Sequence, residues 1–319
     1  MNNILVISFS EVLNDPRVYR QVRLLRSHFH VVAAGFGECP VAGIEWIQLR
    51  QPSRTRLDQL RNLVLLGLGL FEKSYWNRSL HRIALNLLGG RKFDLVLAND
   101  IYVLPLALRI DVNTPVILDA HEYAPREYED DFLWRLLVQP YKKFLCQHYL
   151  HRLRGMFTVC TGLADEYHRV YGVKPLVLMN APAYQQLEPT PVSVEIVRII
   201  HHGAAIPSRK LELMIEMMQF LDSRFHLDLM LVSSDQNYLN YIRNLAAGDA
   251  RIRFIEPVAM LDIPRFTNGY DIGLFLLPPV NFNYAHALPN KFFEFVQARL
   301  AVAIGPSPEM ARLVELYGV

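Results

Sequence analysis

Residues 284–305 read YAHALPNKFFEFVQARLAVAIG. Pro289 marks the place where a loop turns into a helix, because a proline at a helix start gives up an N–H that would have had no partner anyway. Asn290, Lys291 and Glu294 then fall on the first turns, and Phe292, Phe293, Val296 and Leu300 supply the apolar face. Ala301 to Ile304 follows as a short buried strand, closed by Gly305-Pro306. A helix start offers free N–H groups and a positive dipole end, which suit a phosphate. Lys291 adds a full positive charge there. Glu294, one turn further in, accepts two hydrogen bonds at once and so suits a pair of sugar hydroxyls. The plainer alternative is an ordinary amphipathic helix with Glu294 on its exposed surface.

Outward from this stretch, short apolar strands alternate with helices in both directions. Residues 4–8, 31–34, 44–49, 94–98, 115–118, 157–160 and 176–179 read as strands of a first domain. Residues 197–201, 227–232, 252–255 and 271–276 read as strands of a second. Such alternation predicts an α/β protein with a parallel sheet in each half. Pro189 and Pro191 place a linker at 183–194, between domains 1–182 and 195–319. Asn14 or Asp15 caps a helix whose first residue is Pro16, with Val18, Val22 and Leu25 at helical spacing. No GxGxxG follows the first strand, so a dinucleotide-binding fingerprint is absent.

The 319 residues are 51% hydrophobic and 20% charged, enough to bury substantial cores. Cys39, Cys146 and Cys160 lie far apart without a CxxC pair, which argues against a disulfide framework or a structural zinc and fits a reducing cytoplasm. The start has no signal-peptide pattern, and the longest apolar run, 63–71, is too short to span a bilayer. Net charge is +2, but residues 50–92 hold nine basic and two acidic residues. That excess suits an anionic partner such as a membrane surface; a solvated basic face explains it equally. Leu57, Leu60, Leu63, Val64 and Phe71 share one side of the helical region 55–88, read here as packing inside the domain. Tyr75 and Trp76 amid basic residues also suit a membrane interface. Acids at 127–131 and bases from Lys142 onward follow the dipole of the helix between them and need no function.

Two polar clusters end strands of the first half: Asn99-Asp100 and Asp119-Ala120-His121-Glu122. In an open α/β sheet that edge is where ligands bind. His121 can donate to a developing charge or a sugar hydroxyl. Glu122 orients His121 or touches an acceptor, and Asp100 is a further candidate.

The segment LPNKFFEFVQARLAVAIG resembles the donor-site segment of the family 4 retaining glycosyltransferases, which have the two-domain GT-B fold. The resemblance implies two facing Rossmann-like domains with parallel sheets. Family members usually continue further, so the resemblance leaves a C-terminal domain that is either naturally short or incomplete at Val319. In the family two glutamates separated by seven residues face the transferred sugar and the ribose of a nucleotide sugar. Glu294 matches the second, and His286 stands at the first. DAHE (119–122) resembles the segment that places a histidine beside the reacting sugar. NDPRVYRQ resembles a variant of the family's first loop, which puts Asp15 and Arg17 on the acceptor side. After the strand at 197–201, the family has glycine-arginine and, five residues later, a lysine gripping the donor diphosphate. Here Gly203 is followed by Ala204, Arg209 takes the lysine position, and Lys210 is placed to replace the missing charge. The loop before Tyr284, LPPVNFNYAH, is expected to be flexible and to close over the donor.

The resemblance thus implies a hexosyl-type transfer from a nucleotide sugar to a glycan or lipid-linked acceptor, with retention and without a metal or other cofactor. It implies surface polysaccharide or glycolipid synthesis at the inner face of a membrane, with no nucleic-acid partner. Two alternatives stand beside it: a GT-B epimerase or phosphorylase using the same cleft, and a non-catalytic scaffold, which Ala204, His286 and the early end would suit.

Overall fold

The structure is a computed structural model that describes residues 2–53, 55–233 and 235–319. The chain divides into two compact units. One is Met1–Met179 together with Asn281–Asn283; the other is Asn180–Val280 together with Tyr284–Val319.

The first unit holds seven parallel strands: β1 (Asn3–Glu11), β2 (His30–Phe36), β3 (Glu45–Gln48), β4 (Leu95–Asn99), β5 (Val116–Ala120), β6 (Gly155–Thr158) and β7 (Leu176–Val177). Their order is β3-β2-β1-β4-β5-β6-β7. Order reverses between β1 and β4, so the carboxyl ends of these strands open a crevice that crossovers do not cover. Register pairs Asn99 with Asp119, which sets the two polar clusters side by side. Ile4, Val6, Val31 and Ala33 are buried against Val18 and Val22 of helix Pro16–Leu25, so the alternation of β1 and the spacing of that helix make one core. Asp15 caps the helix by accepting from the backbone N–H groups of Arg17 and Val18.

The second unit holds five parallel strands: β8 (Val197–Ala204), β9 (Phe225–Val232), β10 (Ile252–Ile255), β11 (Ile272–Phe275) and β12 (Ala301–Ile304), in the order β10-β9-β8-β11-β12. Its switch point lies between β8 and β11. Helix Asn290–Gln297 begins one residue after Pro289, which takes the cap position. Its most buried aromatic is Phe295, a residue outside the apolar face read from the sequence; Phe293 and Val296 are only half-buried. Phe295 fits because Gly273 lies beneath it: a Cβ there would come within 2.2 Å of the ring.

Three readings need correction. Leu57, Leu60, Leu63 and Val64 do not pack inside the domain; all four are exposed, Leu57 by 77%. Tyr75, by contrast, is fully buried: its hydroxyl donates to Tyr102 O (2.8 Å) and accepts from Leu106 N (3.1 Å). Tyr75 is therefore no membrane anchor, while Trp76, half-buried, is held by Glu72 and lies under Arg109. The loop before Tyr284 is not a free flap. Asn281–Asn283 are built into the first unit, where Tyr123 N donates to Asn283 Oδ1 (2.7 Å) and Phe282 N donates to Glu129 Oε1 (2.9 Å).

Candidate functional site

At the switch point of the second sheet, β8 ends in His201-His202-Gly203-Ala204 and β11 ends in Phe275. Lys291, on the first turn of helix Asn290–Gln297, reaches back over this edge. Its ammonium lies 4.4 Å from the centre of the Phe275 ring. Gly203 has φ +127°, and a Cβ there would come within 2.8 Å of Lys291 Nζ, so only glycine lets the ammonium approach the backbone. Lys291 is 7% exposed, and its Nζ meets no hydrogen-bond acceptor among the described residues. Burial pushes its pKa well below the usual lysine value, and the nearby Arg209 guanidinium pushes the same way, opposed by Glu294. Arg209 itself donates from Nη1 to Ala204 O (3.0 Å).

Glu294 is not on the surface; it is 5% exposed. Its Oε2 lies 3.4 Å from His202 Nε2. Burial, helped by the Lys291 charge, lowers the His202 pKa to about 3, so the ring is neutral and acts on Glu294 as a wall rather than an ion-pair partner. His201 is also held neutral by burial, with Nδ1 2.8 Å from Leu274 O. Asn290 accepts from the side-chain amide of Asn180. The structure therefore gathers Gly203, Arg209, Asn290, Lys291 and Glu294 at one strand edge. Lys210 stands apart: it has left-handed backbone (φ 52°), and its half-exposed ammonium lies 3.8 Å from Glu212. His286 turns its Nδ1 to within 3.5 Å of the buried Glu309 carboxylate. Tyr284 pairs its hydroxyl with Ser208 Oγ at 2.9 Å.

The edge of the first sheet is arranged differently. Arg17 is 5% exposed and grips Asp119 with two bonds, Nε to Oδ2 (2.7 Å) and Nη2 to Oδ1 (2.6 Å), while Nη1 donates to Leu178 O. Gln21 also donates to Asp119. His121 Nε2 lies 3.3 Å from Asn99 Oδ1 and 3.9 Å from Asp119 Oδ2, and Nδ1 lies 3.8 Å from Asp100 Oδ2. Asp100 sits at φ 67°, a left-handed conformation that Asp and Asn tolerate better than most residues. Asp15 accepts from two backbone N–H groups and from Ser10 Oγ, so its carboxylate serves the helix it caps.

Below His121 opens a cavity of about 200 Å³, lined among others by Asp100, Tyr102, Glu122, Glu127 and Lys142. Lys142 is 4% exposed, pairs with Glu127, and lies 4.6 Å over the Tyr102 ring. Burial lowers its pKa to about 8, against the pull of Asp100 and Glu122. Sequence reading missed this lysine because its charge fitted the dipole of its own helix. It missed Asp119 and His202 as well. Asp119 lies within the DAHE stretch but takes its partner from a helix 102 residues earlier. His202 directly precedes Gly203, and that adjacency was its available signal.

No family model matches the chain, and no curated protein matches it in sequence. Solved structures do match it in fold. Anabaena HepE in complex with UDP-glucose superposes with a TM-score of 0.66 at 12% identity, over 99% of this chain and 88% of that one. WaaG, a glycosyltransferase involved in lipopolysaccharide biosynthesis, gives 0.60 at 13%, over 98% and 83%. A putative UDP-N-acetylglucosamine 2-epimerase from Listeria monocytogenes gives 0.54 at 11%, over 100% and 97%. At these identities the likeness shows the fold alone: two parallel-sheet Rossmann-like domains of the GT-B type.

Proposed function

We propose that the chain is a glycosyltransferase that moves a hexosyl group from a nucleotide sugar to a glycan or lipid-linked acceptor. The second unit takes the donor and the first unit takes the acceptor. One observation carries this reading: a buried ammonium, Lys291, set over a glycine at a strand edge without an acceptor of its own among the described residues, with Arg209 beside it. Two cations at a helix start match a diphosphate. Glu294, one turn on, matches the two hydroxyls of a ribose. HepE was solved with UDP-glucose, which supports a nucleotide sugar as the ligand of this fold.

Negative charge grows on the leaving diphosphate as the anomeric bond breaks. Lys291, Arg209 and the N–H groups around Asn290 stabilise it, each by on the order of 2–4 kcal/mol, judged from single oxyanion donors. These groups supply the charge without calling on a metal, and the resemblance to family 4 assigns retention. His121, which lies between Asn99, Asp100 and Asp119, is assigned the role of donating to the developing charge or a hydroxyl of the reacting sugar.

The reading extends to surface polysaccharide or glycolipid synthesis at the inner face of a membrane. It draws support from the exposed leucines of helix Arg56–Gly67, which lie within the basic stretch 50–92. Apolar side chains rimmed by basic ones suit an anionic bilayer. No helix among the described residues is long and apolar enough to cross a membrane. The epimerase among the structural neighbours supports a second reading, in which the nucleotide sugar is altered without an acceptor.

Calorimetry with UDP, GDP and ADP tests the donor assignment. Glu294→Ala is expected to weaken nucleotide binding by roughly 1–3 kcal/mol through loss of charged hydrogen bonds. Unchanged affinity would remove the ribose role from Glu294. Silence with every nucleotide would remove the transferase itself, and product analysis without acceptor separates epimerase from transferase.

A further inference from the structure

Helix Asn290–Gln297 carries Lys291 and Glu294, yet it is only eight residues long and has to be held in place from outside. The chain between β7 and β8 has no regular structure, and from Asn180 onward it belongs to the second unit. Hydrogen bonds tie this segment to both ends of the helix, like a strap. At the start, Asn180 donates from its side-chain amide to Asn290. At the far end, Gln297 Nε2 donates to Gln185 O (2.6 Å) and Arg299 Nε to Leu187 O (3.0 Å). Asn268 Nδ2 donates to Glu188 O and to Ala298 O, each at 2.9 Å, and so joins the strap to the helix end.

Arg299 is the unexpected member of this set. The helix closes with two bonds, Arg299 N to Val296 O and Leu300 N to Phe295 O, a pattern that puts residue 299 in the left-handed region. Glycine is the usual occupant there, but here an arginine sits at φ 64°. An unfavourable backbone that persists points to work done by the side chain. The Arg299 side chain meets Leu187 O and lies 5.9 Å from the centre of the Tyr184 ring, both on the strap. Gln297 is 9% exposed, so its bond to Gln185 is largely shielded from water. These side chains take hold of backbone carbonyls at 185, 187 and 188, which fixes the path of the strap whatever its own side chains are.

Resting on the nucleotide-sugar reading above, we propose that Gln297, Arg299 and Asn268 are positioning residues for the donor. By gripping the strap they fix the helix at both ends, and so set where Lys291 and Glu294 stand against the edge of β8. A slack strap lets the helix tip drift, and the ammonium and the carboxylate then no longer meet one ligand together.

Arg299→Gly separates this role from plain stability, because glycine suits φ 64° while it removes the hold on Leu187. In urea unfolding of the full chain, Arg299→Gly is expected to be as stable as wild type or more so. Calorimetry with the tightest binder among UDP, GDP and ADP is expected to show its affinity falling about threefold, and that of Gln297→Met/Arg299→Gly about tenfold. Arg299→Lys keeps a donor for the carbonyl and should bring affinity back towards wild type without the gain in stability. In the free protein the double variant should also speed amide hydrogen exchange at Phe292, Phe293 and Glu294, a readout that needs no ligand. Unchanged affinity in the double variant overturns the proposal, and so does a loss of affinity that appears only where stability falls too. Wild-type protein that binds none of the three nucleotides breaks the transferase reading instead. Exchange then still decides the strap: unchanged rates in the double variant refute its hold on the helix, and faster ones uphold it.

Discussion

Each sheet brings a basic side chain to its carboxyl edge, and the two are treated in opposite ways. Arg17 meets a buried carboxylate, which Gln21 also holds, and a backbone carbonyl, so each of its nitrogens has an acceptor within the first unit. Lys291 is as well buried, yet its ammonium faces a ring and a glycine and finds no acceptor among the described residues. A satisfied buried ion fixes structure; an unsatisfied one is a standing cost that an incoming anion removes. The contrast separates a scaffold cation from a binding cation by environment, where the sequence shows only two basic residues on two helices.

The largest expected effect follows from the scaffold side. Arg17→Met leaves Asp119 charged and buried, and is expected to destabilise the first unit by about 3–5 kcal/mol in urea unfolding. Arg17→Met/Asp119→Leu should recover much of that loss, because removing both partners leaves no orphan. Equal instability in the single and double variants would mean that the pair's charge is not what matters.

Lys291→Met is expected to do the reverse. Stability should hold or rise, while diphosphate affinity falls by about 1.5–3 kcal/mol, tenfold or more. The linkage has a definite sign. The pKa of Lys291 is depressed in the free protein and is restored when an anion binds, so binding takes up protons and weakens as pH rises. Calorimetry in two buffers of different ionisation enthalpy reads that uptake in the wild type, and it should vanish in the methionine variant.

A smaller effect concerns the two histidines behind the lysine. His201 and His202 are held neutral in the fold, His202 with a pKa of about 3, whereas an unfolded histidine titrates near 6.5. The unfolded chain therefore binds more protons as pH falls below 6.5. Stability is full above that value and declines towards pH 3, by about 2 kcal/mol at pH 5 for His202, with His201 acting in the same direction. A flat melting profile between pH 7 and 5 would show that these rings are not kept neutral.

Much of the architecture was legible in advance because it rests on local signals. Pro289, the spacing after it and the short apolar strand at 301–304 announced a helix and a strand that the structure keeps. What escaped depends on partners distant in sequence. Phe295 is central only because Gly273 clears room for it, and nothing within the helix reports that. Lys142 looked like a dipole cation because Glu127 and Tyr102 approach it from other elements. The leucines of helix Arg56–Gly67 showed a stripe, and a stripe does not say whether protein, lipid or water lies opposite it.

The missing side chain at 203 has one more consequence. A methyl group there would collide with the lysine's tip, so Gly203→Ala alone should harm the second unit, through crowding and through its φ of +127°. Shortening residue 291 empties the contested space. Two substitutions, one harmful to folding and the other to ligand capture, would then be less damaging together than their separate losses sum to. That sign of epistasis measures how tightly backbone and ammonium share the same few cubic ångströms.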